Sequence, residues 1–333
     1  MKLLVCGGAG FIGSNFVRAR LAGSDDEVVV LDKLTYAGRR ESLRDVETDA
    51  RFTFVHGAIE DAVAVEQALA GADAIVNFAA ETHVDRSIAE PDAFVRTHAL
   101  GTYVLLEAAR RHGVRYLQVS TDEVYGSIEA GSFTEDSPLE PSSPYSATKA
   151  GADLLVAAYQ RTFGLETLIC RGSNNYGPYQ YPEKLIPLMI LNAVHGDRLP
   201  VYGDGRNIRN WLFVEDFASG ISHVLEHGVP GEVYNVGGPD ECDNLTVVRR
   251  IIELCGADES LIELVNDRPG HDRRYSLGSE KVAALGWRAG TRFEQGIERT
   301  VAWYRDNEWW WAPIRSGAYR EYYARQYGTA LAE

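Results

Sequence analysis

Short apolar runs alternate with amphipathic stretches through the first half of the chain, and that alternation predicts the fold. Leu3 to Cys6, Val28 to Leu31, Phe52 to Val55, Ala74 to Phe78, Arg115 to Ser120 and Leu165 to Cys170 read as buried strands. Helical spacing falls between them: around Phe16, Val17 and Leu21, over Val63 to Leu69, in a long amphipathic stretch from Phe94 to Arg111, and from Tyr145 to about Phe163. Strands and helices in turn, joined by short connections, mean an α/β protein with a parallel, doubly wound sheet. The pattern changes after Arg171. Residues 172–182 are aromatic, turn-rich and broken by proline, too polar for a strand, and 199–205 reads as a loop with two glycines. Helices are expected over Lys184 to His195, Val214 to Glu226 and about 245–254, 279–285 and 293–306, with no run of strands after 245. Asn210 to Phe213 and Val233 to Val236 are expected to return to the sheet. The simplest organisation is a larger unit of residues 1–170 plus about 209–239, and a smaller mixed carboxyl-terminal lobe of 171–208 plus about 240–333. Such a lobe would roof the carboxyl edge of the sheet, and clefts of this kind commonly hold ligands.

The turn after the first strand narrows the reading. Gly7, Gly10 and Gly13 lie between a strand and a helix. There they allow a tight turn and let a pyrophosphate approach the helix amino terminus. Their spacing is G-x-x-G-x-x-G, and Asp32 follows about 20 positions on, at the end of the second strand, as a Rossmann-type dinucleotide fingerprint requires. Asp32 is placed to accept both ribose hydroxyls and to repel a 2′-phosphate, which favours NAD over NADP. Lys33 beside it weakens that preference.

A second group of residues carries chemistry. Thr121, Asp122 and Glu123 fall at the carboxyl end of the 115–120 strand, the edge where open parallel sheets bind ligands. Adjacent carboxyls act as acid and base when their environments split their pKa values. Taken alone, the pair reads more simply as the cap of a turn. Tyr145 and Lys149 are four apart and share a helix face. An ammonium beside a phenol favours the phenolate, so Tyr145 is expected to serve as a base near neutral pH.

Charge and composition then exclude several classes. A net charge of −15 over 333 residues argues against nucleic acid as a partner. It leaves room for an anionic small molecule held by local cations: Lys184, Arg209, Arg268, His271, Arg273 and Arg274. Arginine forks suit phosphate oxygens, although Arg273 and Arg274 read as a solvated pair balanced by Asp267 and Asp272. No apolar run reaches membrane-spanning length, and Lys2 leads straight into a strand rather than a signal sequence. The four cysteines have neither metal nor disulfide spacing, so no metal is expected and the cytoplasm is the natural compartment. Trp309, Trp310 and Trp311 are expected to pack the tail against the lobe or a subunit partner.

Several motifs together resemble one family. Asn77 to Ser87, Thr121 to Gly126, Tyr145 with Lys149, Ser173 to Pro178, Pro182 to Leu185 and Arg268 to His271 are similar to the nucleotide-sugar 4,6-dehydratases among the extended short-chain dehydrogenases/reductases. The likeness spans nearly the whole chain. It implies bound NAD, a nucleoside-diphospho-glucose substrate (dTDP-glucose before UDP-glucose) and a homodimer built through the Phe94–Arg111 and Tyr145–Phe163 helices. It also implies a cycle: oxidation at carbon 4 with Tyr145 as base, elimination across carbons 5 and 6 with Glu123 as base and Asp122 as acid, then hydride return to carbon 6. Carried over by position, the cofactor contacts are Gly7, Gly10, Phe11, Ile12, Gly13, Asp32, Lys33, Leu34, Thr35, Ala58, Ile59, Phe78, Ala79, Ala80, Thr97, Tyr145, Lys149 and Asn175. The substrate contacts are Thr82, Thr121, Asp122, Glu123, Tyr145, Asn174, Lys184, Leu185, Pro200, Val201, Tyr202, Arg209, Asn244, Arg268 and His271. One departure stands out. The family pattern is Gly-Asp-Ile where this chain has Gly57, Ala58 and Ile59, which removes a carboxylate from the adenine side. Other readings are a 4-epimerase, which never eliminates water, and a non-catalytic NAD-binding sensor.

Overall fold

The computed structural model describes residues 1–267, 270–316 and 318–327. Seven strands form the central sheet: β1 (Lys2–Cys6), β2 (Glu27–Asp32), β3 (Phe52–His56), β4 (Ala74–Asn77), β5 (Arg115–Thr121), β6 (Thr167–Gly172) and β10 (Val233–Val236). Their order is β10-β6-β5-β4-β1-β2-β3, and every pairing is parallel. Helices cover both faces, so successive side chains of one strand enter different cores. In β1, Leu3 and Val5 pack into one cluster with Phe16 and Ile221, while Leu4 and Cys6 pack into another with Leu105 and Ala109. That two-sided burial is why these strands read as continuous apolar runs.

The remaining strands depart from expectation. Asn174–Tyr176 is a short strand, β7, in spite of its polarity, because Ile208–Phe213 (β9) supplies hydrogen-bonding partners. β9 therefore does not join the central sheet. It lies between β7 and Asp240–Asp243 (β11) in a three-stranded mixed sheet. The expected loop over 199–205 begins as a strand, β8 (Leu199–Tyr202), paired in parallel with β12 (Ile262–Val265). Neither had an alternating or long apolar pattern to announce it; tertiary pairing decided both. Val233–Val236 does return to the central sheet, as expected.

The long amphipathic helix is also not continuous. Pro91–Val95 and Thr102–His112 are α-helical, and Arg96–Gly101 between them is a π-helical turn, a feature often found at functional sites. The helix Pro144–Phe163 is well delimited. Ser143 and Ser146 form a reciprocal capping box, Pro144 sits in the first turn, and Gly164 ends the helix in the left-handed conformation. Trp310 and Trp311 are buried, with the Trp310 indole donating to Ser42 Oγ at 3.0 Å, so these two pack the tail, while Trp309 stays exposed. Among the described residues no helix is long and apolar enough to cross a membrane.

Gly237 and Gly238 carry the chain from the central sheet to the smaller one. A Cβ on Gly238 would lie 1.7 Å from the Trp211 carbonyl oxygen, so the two backbones meet with no space for a side chain. Gly238→Ala should push β9 away and destabilise the fold by roughly 3 kcal/mol, the upper end of ordinary overpacking. Denaturant titration would show it; a midpoint equal to the parent's would mean the crossing adapts freely.

Candidate active site

The strand order reverses between β1 and β4, and the crevice outside their carboxyl ends is the usual ligand site of an open sheet. Gly7 has φ +74°, and a Cβ there would sit 2.5 Å from the Ala79 nitrogen. A Cβ on Gly13 would sit 2.3 Å from the Gly7 carbonyl, which lets the helix Phe11–Gly23 start tight against the strand. Gly10 is different: only the Gly7 oxygen, at 3.3 Å, lies near its missing side chain. The turn is thus closed on the protein side and open toward the crevice, the shape a pyrophosphate needs.

A first cavity runs over this turn. Gly7, Gly10, Phe11, Ile12, Gly13, Asp32, Lys33, Thr35, Ile59, Phe78, Ala79, Ala80, Thr97, Tyr145 and Lys149 line it, all expected cofactor contacts, and Thr82 and Lys184 line it too. Asp32 Oδ2 accepts from the Ala9 N–H at 2.9 Å, and Oδ1 from the Leu34 N–H at 2.8 Å. Leu34 adopts φ +52° to make that turn. Burial pushes the Asp32 carboxyl up, and the two backbone donors oppose the rise. Leu34, Ala58 and Asn175 do not line this cavity.

A second cavity meets the first at Lys184, which lines both. Of the expected substrate contacts, Glu123, Asn174, Leu185, Pro200, Tyr202, Arg209, Asn244 and His271 line it. Val201 is buried beneath, and Arg268 lies outside the described residues. Asn174 Oδ1 and Asn244 Oδ1 are buried without a hydrogen-bond partner among the described residues, as acceptors awaiting a hydroxyl would be. His83, Asp85, Glu183 and Tyr275 also line this cavity and were not singled out in sequence. His83 has φ +78°, a conformation histidine rarely adopts and one that collects at functional sites. Glu183 and His83 lay inside motifs that were recognised, so they were within reach. Arg273 and Arg274 are paired as expected, but with Asp204 and Glu241 instead of Asp267 and Asp272.

The acid–base residues stand where the cavities approach. Thr121 Oγ accepts from the Glu123 N–H at 3.2 Å and caps the 3-10 turn Asp122–Tyr125. Thr121 and Asp122 line neither cavity. Asp122 is 2% exposed, and its Oδ2 is buried without a partner among the described residues. Burial first, and the neighbouring Glu123 second, push its carboxyl up to about 8, with Arg209 opposing. Asp122 is therefore held protonated at pH 7.

Tyr145 corrects an expectation. Burial raises the phenol far above its usual range, and Glu123 adds to the rise. Lys149 does not offset this, since its ammonium donates to the Val119 carbonyl at 2.7 Å and is itself lowered by burial to about 8. Sharing a helix face brings the two residues close but does not overcome desolvation. The π turn and the helix before it brace the tyrosine: His98 and Phe94 pack edge-on against its ring, and the His98 ring bonds Thr148 Oγ1 and the Glu81 carbonyl. Burial, then Lys149, keeps His98 neutral.

A family profile described as GDP-mannose 4,6 dehydratase matches residues 4–300. The chain belongs to this dehydratase family. It is 52% identical over 323 residues to a dTDP-glucose 4,6-dehydratase of Streptomyces niveus, covering 95% of this chain and 96% of that one. It is 54% identical over 305 residues to a low-salt glycan biosynthesis protein of Haloferax volcanii, covering 91% and 98%. The crystal structure of the dTDP-glucose 4,6-dehydratase DesIV of Streptomyces venezuelae, with NAD bound, superposes with a TM-score of 0.93 at 54% identity, covering 94% of this chain and 100% of that one. The dehydratase family accounts for a fold in which two cavities join beside a split carboxyl pair.

The neutral Asp122 carries a linkage consequence for this dehydratase fold. The folded carboxyl titrates at about 8 and an unfolded one near ~3.9. Between those values the native state holds the extra proton, so this group's contribution to stability falls as pH rises. Asp122→Asn should melt above the parent by a margin that grows from pH 5 to pH 8, reaching about 5 °C. Calorimetry at both pH values checks this, and an equal margin at the two would mean that Asp122 ionises like an exposed aspartate.

Proposed function

We propose that the chain converts dTDP-glucose to dTDP-4-keto-6-deoxyglucose and water. The observation that carries this reading is Asp122, held neutral next to Glu123, which lines the second cavity. A 4-epimerase has no water to expel and no use for a buried acid there. A non-catalytic sensor has no use for the split pair at all. The fit of the first cavity to a dinucleotide supports NAD as the resident cofactor, held by the glycine turn, Asp32, Ala79, Ala80 and Thr97. NAD, when bound, accepts the hydride from carbon 4, returns it to carbon 6, and brings a positive ring charge.

The chain's own residues do the rest. Tyr145 takes the proton of the sugar 4-hydroxyl, and positive charge beside it offsets the burial that otherwise keeps the phenol protonated. Lys149 anchors the face of the helix on the Val119 carbonyl and adds its own ammonium. The ketone formed at carbon 4 acidifies carbon 5, from which Glu123 removes a proton. Asp122 gives its proton to the departing 6-hydroxyl, so that water leaves rather than hydroxide. Glu123, its proton exchanged with solvent, then protonates carbon 5. Solvent restores the Asp122 proton as Tyr145 releases the one taken from O4. Lys184, Arg209 and His271 line the second cavity and would hold the diphosphate, with Tyr202 and Pro200 on the nucleoside side.

A homodimer is part of the same proposal. Val95, Leu100, Tyr103, Leu154 and Phe163 are exposed on the helices between Pro91 and Phe163, an apolar face of the kind that pairs with its own copy. The cytoplasm suits a chain whose four cysteines are all free, two of them buried. Leu100→Glu with Leu154→Glu should halve the mass in sedimentation; an unchanged mass would place the subunit contact elsewhere.

The activity is tested by mass spectrometry after incubation with dTDP-, UDP-, GDP- and CDP-glucose in heavy water. Loss of one water with solvent deuterium at carbon 5, from dTDP-glucose alone, is expected. Water loss from UDP-glucose as well would overturn the thymidine preference, and isomerisation at constant mass would overturn the dehydratase.

A further inference from the structure

Lys33 follows Asp32 at the cofactor edge of the sheet, where a cation is the usual partner of a 2′-phosphate. The structure shows why this lysine is spoken for. Its ammonium lies 2.9 Å from Glu81 Oε1, 3.3 Å from Glu60 Oε1 and 2.9 Å from Thr97 Oγ1. Glu81 comes from the segment after β4, Glu60 from the turn after β3, and Thr97 from the π turn, so three elements converge on one side chain. The β2 and β3 strands align Asp32 with His56, and the Gly57 N–H donates to the Asp32 carbonyl at 3.1 Å. The turn that carries Glu60 is thereby fixed beside the ribose-binding aspartate. Glu60 Oε2 is buried with no hydrogen-bond partner among the described residues. This turn is also where the chain has Ala58, so a carboxylate missing at 58 is present two positions later.

We propose that Glu60 and Glu81 are specificity-determining residues: they hold Lys33 away from the ribose and thereby enforce NAD over NADP. The inference rests on the first cavity being an NAD site. Two carboxylates against one ammonium leave the trio with a net negative charge, and Asp32 adds another. A 2′-phosphate entering there meets repulsion from three carboxylates, and the one cation able to pair with it is already held by two of them. The two glutamates pull against burial in holding Lys33 protonated, so it stays bound to them through the neutral range. Asp32 alone selects the ribose hydroxyls. The glutamates close the alternative that Lys33 would otherwise offer.

The test is direct binding of NAD and NADP to the purified protein, followed by tryptophan fluorescence and isothermal calorimetry with no sugar nucleotide present. Glu60→Gln with Glu81→Gln keeps the shapes and removes both charges. NADP should then bind about tenfold tighter than to the parent, the gain of one charge-assisted hydrogen bond, while NAD affinity changes little. Adding Lys33→Ala to that pair should abolish the gain. No gain for NADP in the double variant, with NAD still bound, would overturn the proposal. A gain that survives loss of Lys33 would overturn it too, since relief of repulsion at Asp32 would then suffice. A parent protein that binds neither nucleotide would instead overturn the cofactor reading beneath it. Melting temperatures of the three proteins, compared in the same buffer, separate a lost fold from a changed preference.

Discussion

The backbone of Gly7 passes so near that of Ala79 that no side chain fits between them. The rest of the site depends on that approach. It sets the ends of β1 and β4 side by side where the strand order reverses, and it opens the crevice between them. The segment after β4 then supplies Ala80 and Thr82 to one cavity and His83 and Asp85 to the other. The strained backbone at His83 marks where the chain turns from the first to the second. A larger residue at position 7 would move all of these together. The glycine spacing is therefore a structural constraint before it is a binding motif.

Desolvation is the second constraint, and it outweighs neighbouring charge at most of the site's titrating groups, with Lys33 the exception. It is the leading influence on Asp32, Asp122, Tyr145, Lys149 and His98 alike. Each is pushed toward its neutral form. For Asp122 that gives the state in which it can donate a proton. For Tyr145 it gives the state in which it cannot yet accept one. On the proposed reading, positive charge arriving with the ligands is what ionises the phenol. Chemistry that begins only when the pocket is filled protects a reactive ketone from being formed too early.

How much of this was legible in the sequence follows from which interactions are local. The central sheet was, because inner strands such as β1 and β4 are covered on both faces and write their burial as an unbroken apolar run. The glycine turn, Asp32 and the Thr121–Glu123 segment were, because their spacing is fixed by backbone geometry. The small strands β7, β8 and β12 were not: they are three or four residues long, and their partners lie far away in sequence. The π turn was hidden because its residues keep helical spacing and differ only in the bond pattern. Asp85, like His83, lay inside the Asn77–Ser87 motif, but spacing alone did not show that it would reach the second cavity. The raised Tyr145 phenol was misjudged for a different reason. Sequence gives the neighbour, Lys149, but not the depth at which both are buried.

The two carboxyls at 122 and 123 show where sequence and structure each decide something. Spacing alone makes them a turn cap, and Thr121 does cap that turn. Structure adds that one side chain is sealed off while the other faces the second cavity. Adjacent residues on a 3-10 turn point in different directions, so a single turn can place one acid in a dry site and its neighbour in the pocket. Two identical carboxylates in one environment would share a proton and divide no labour. It is the geometry of the turn, set by Thr121 and the end of β5, that makes the pair unequal. On the proposed reading, an acid and a base drawn from neighbouring residues follow from that inequality.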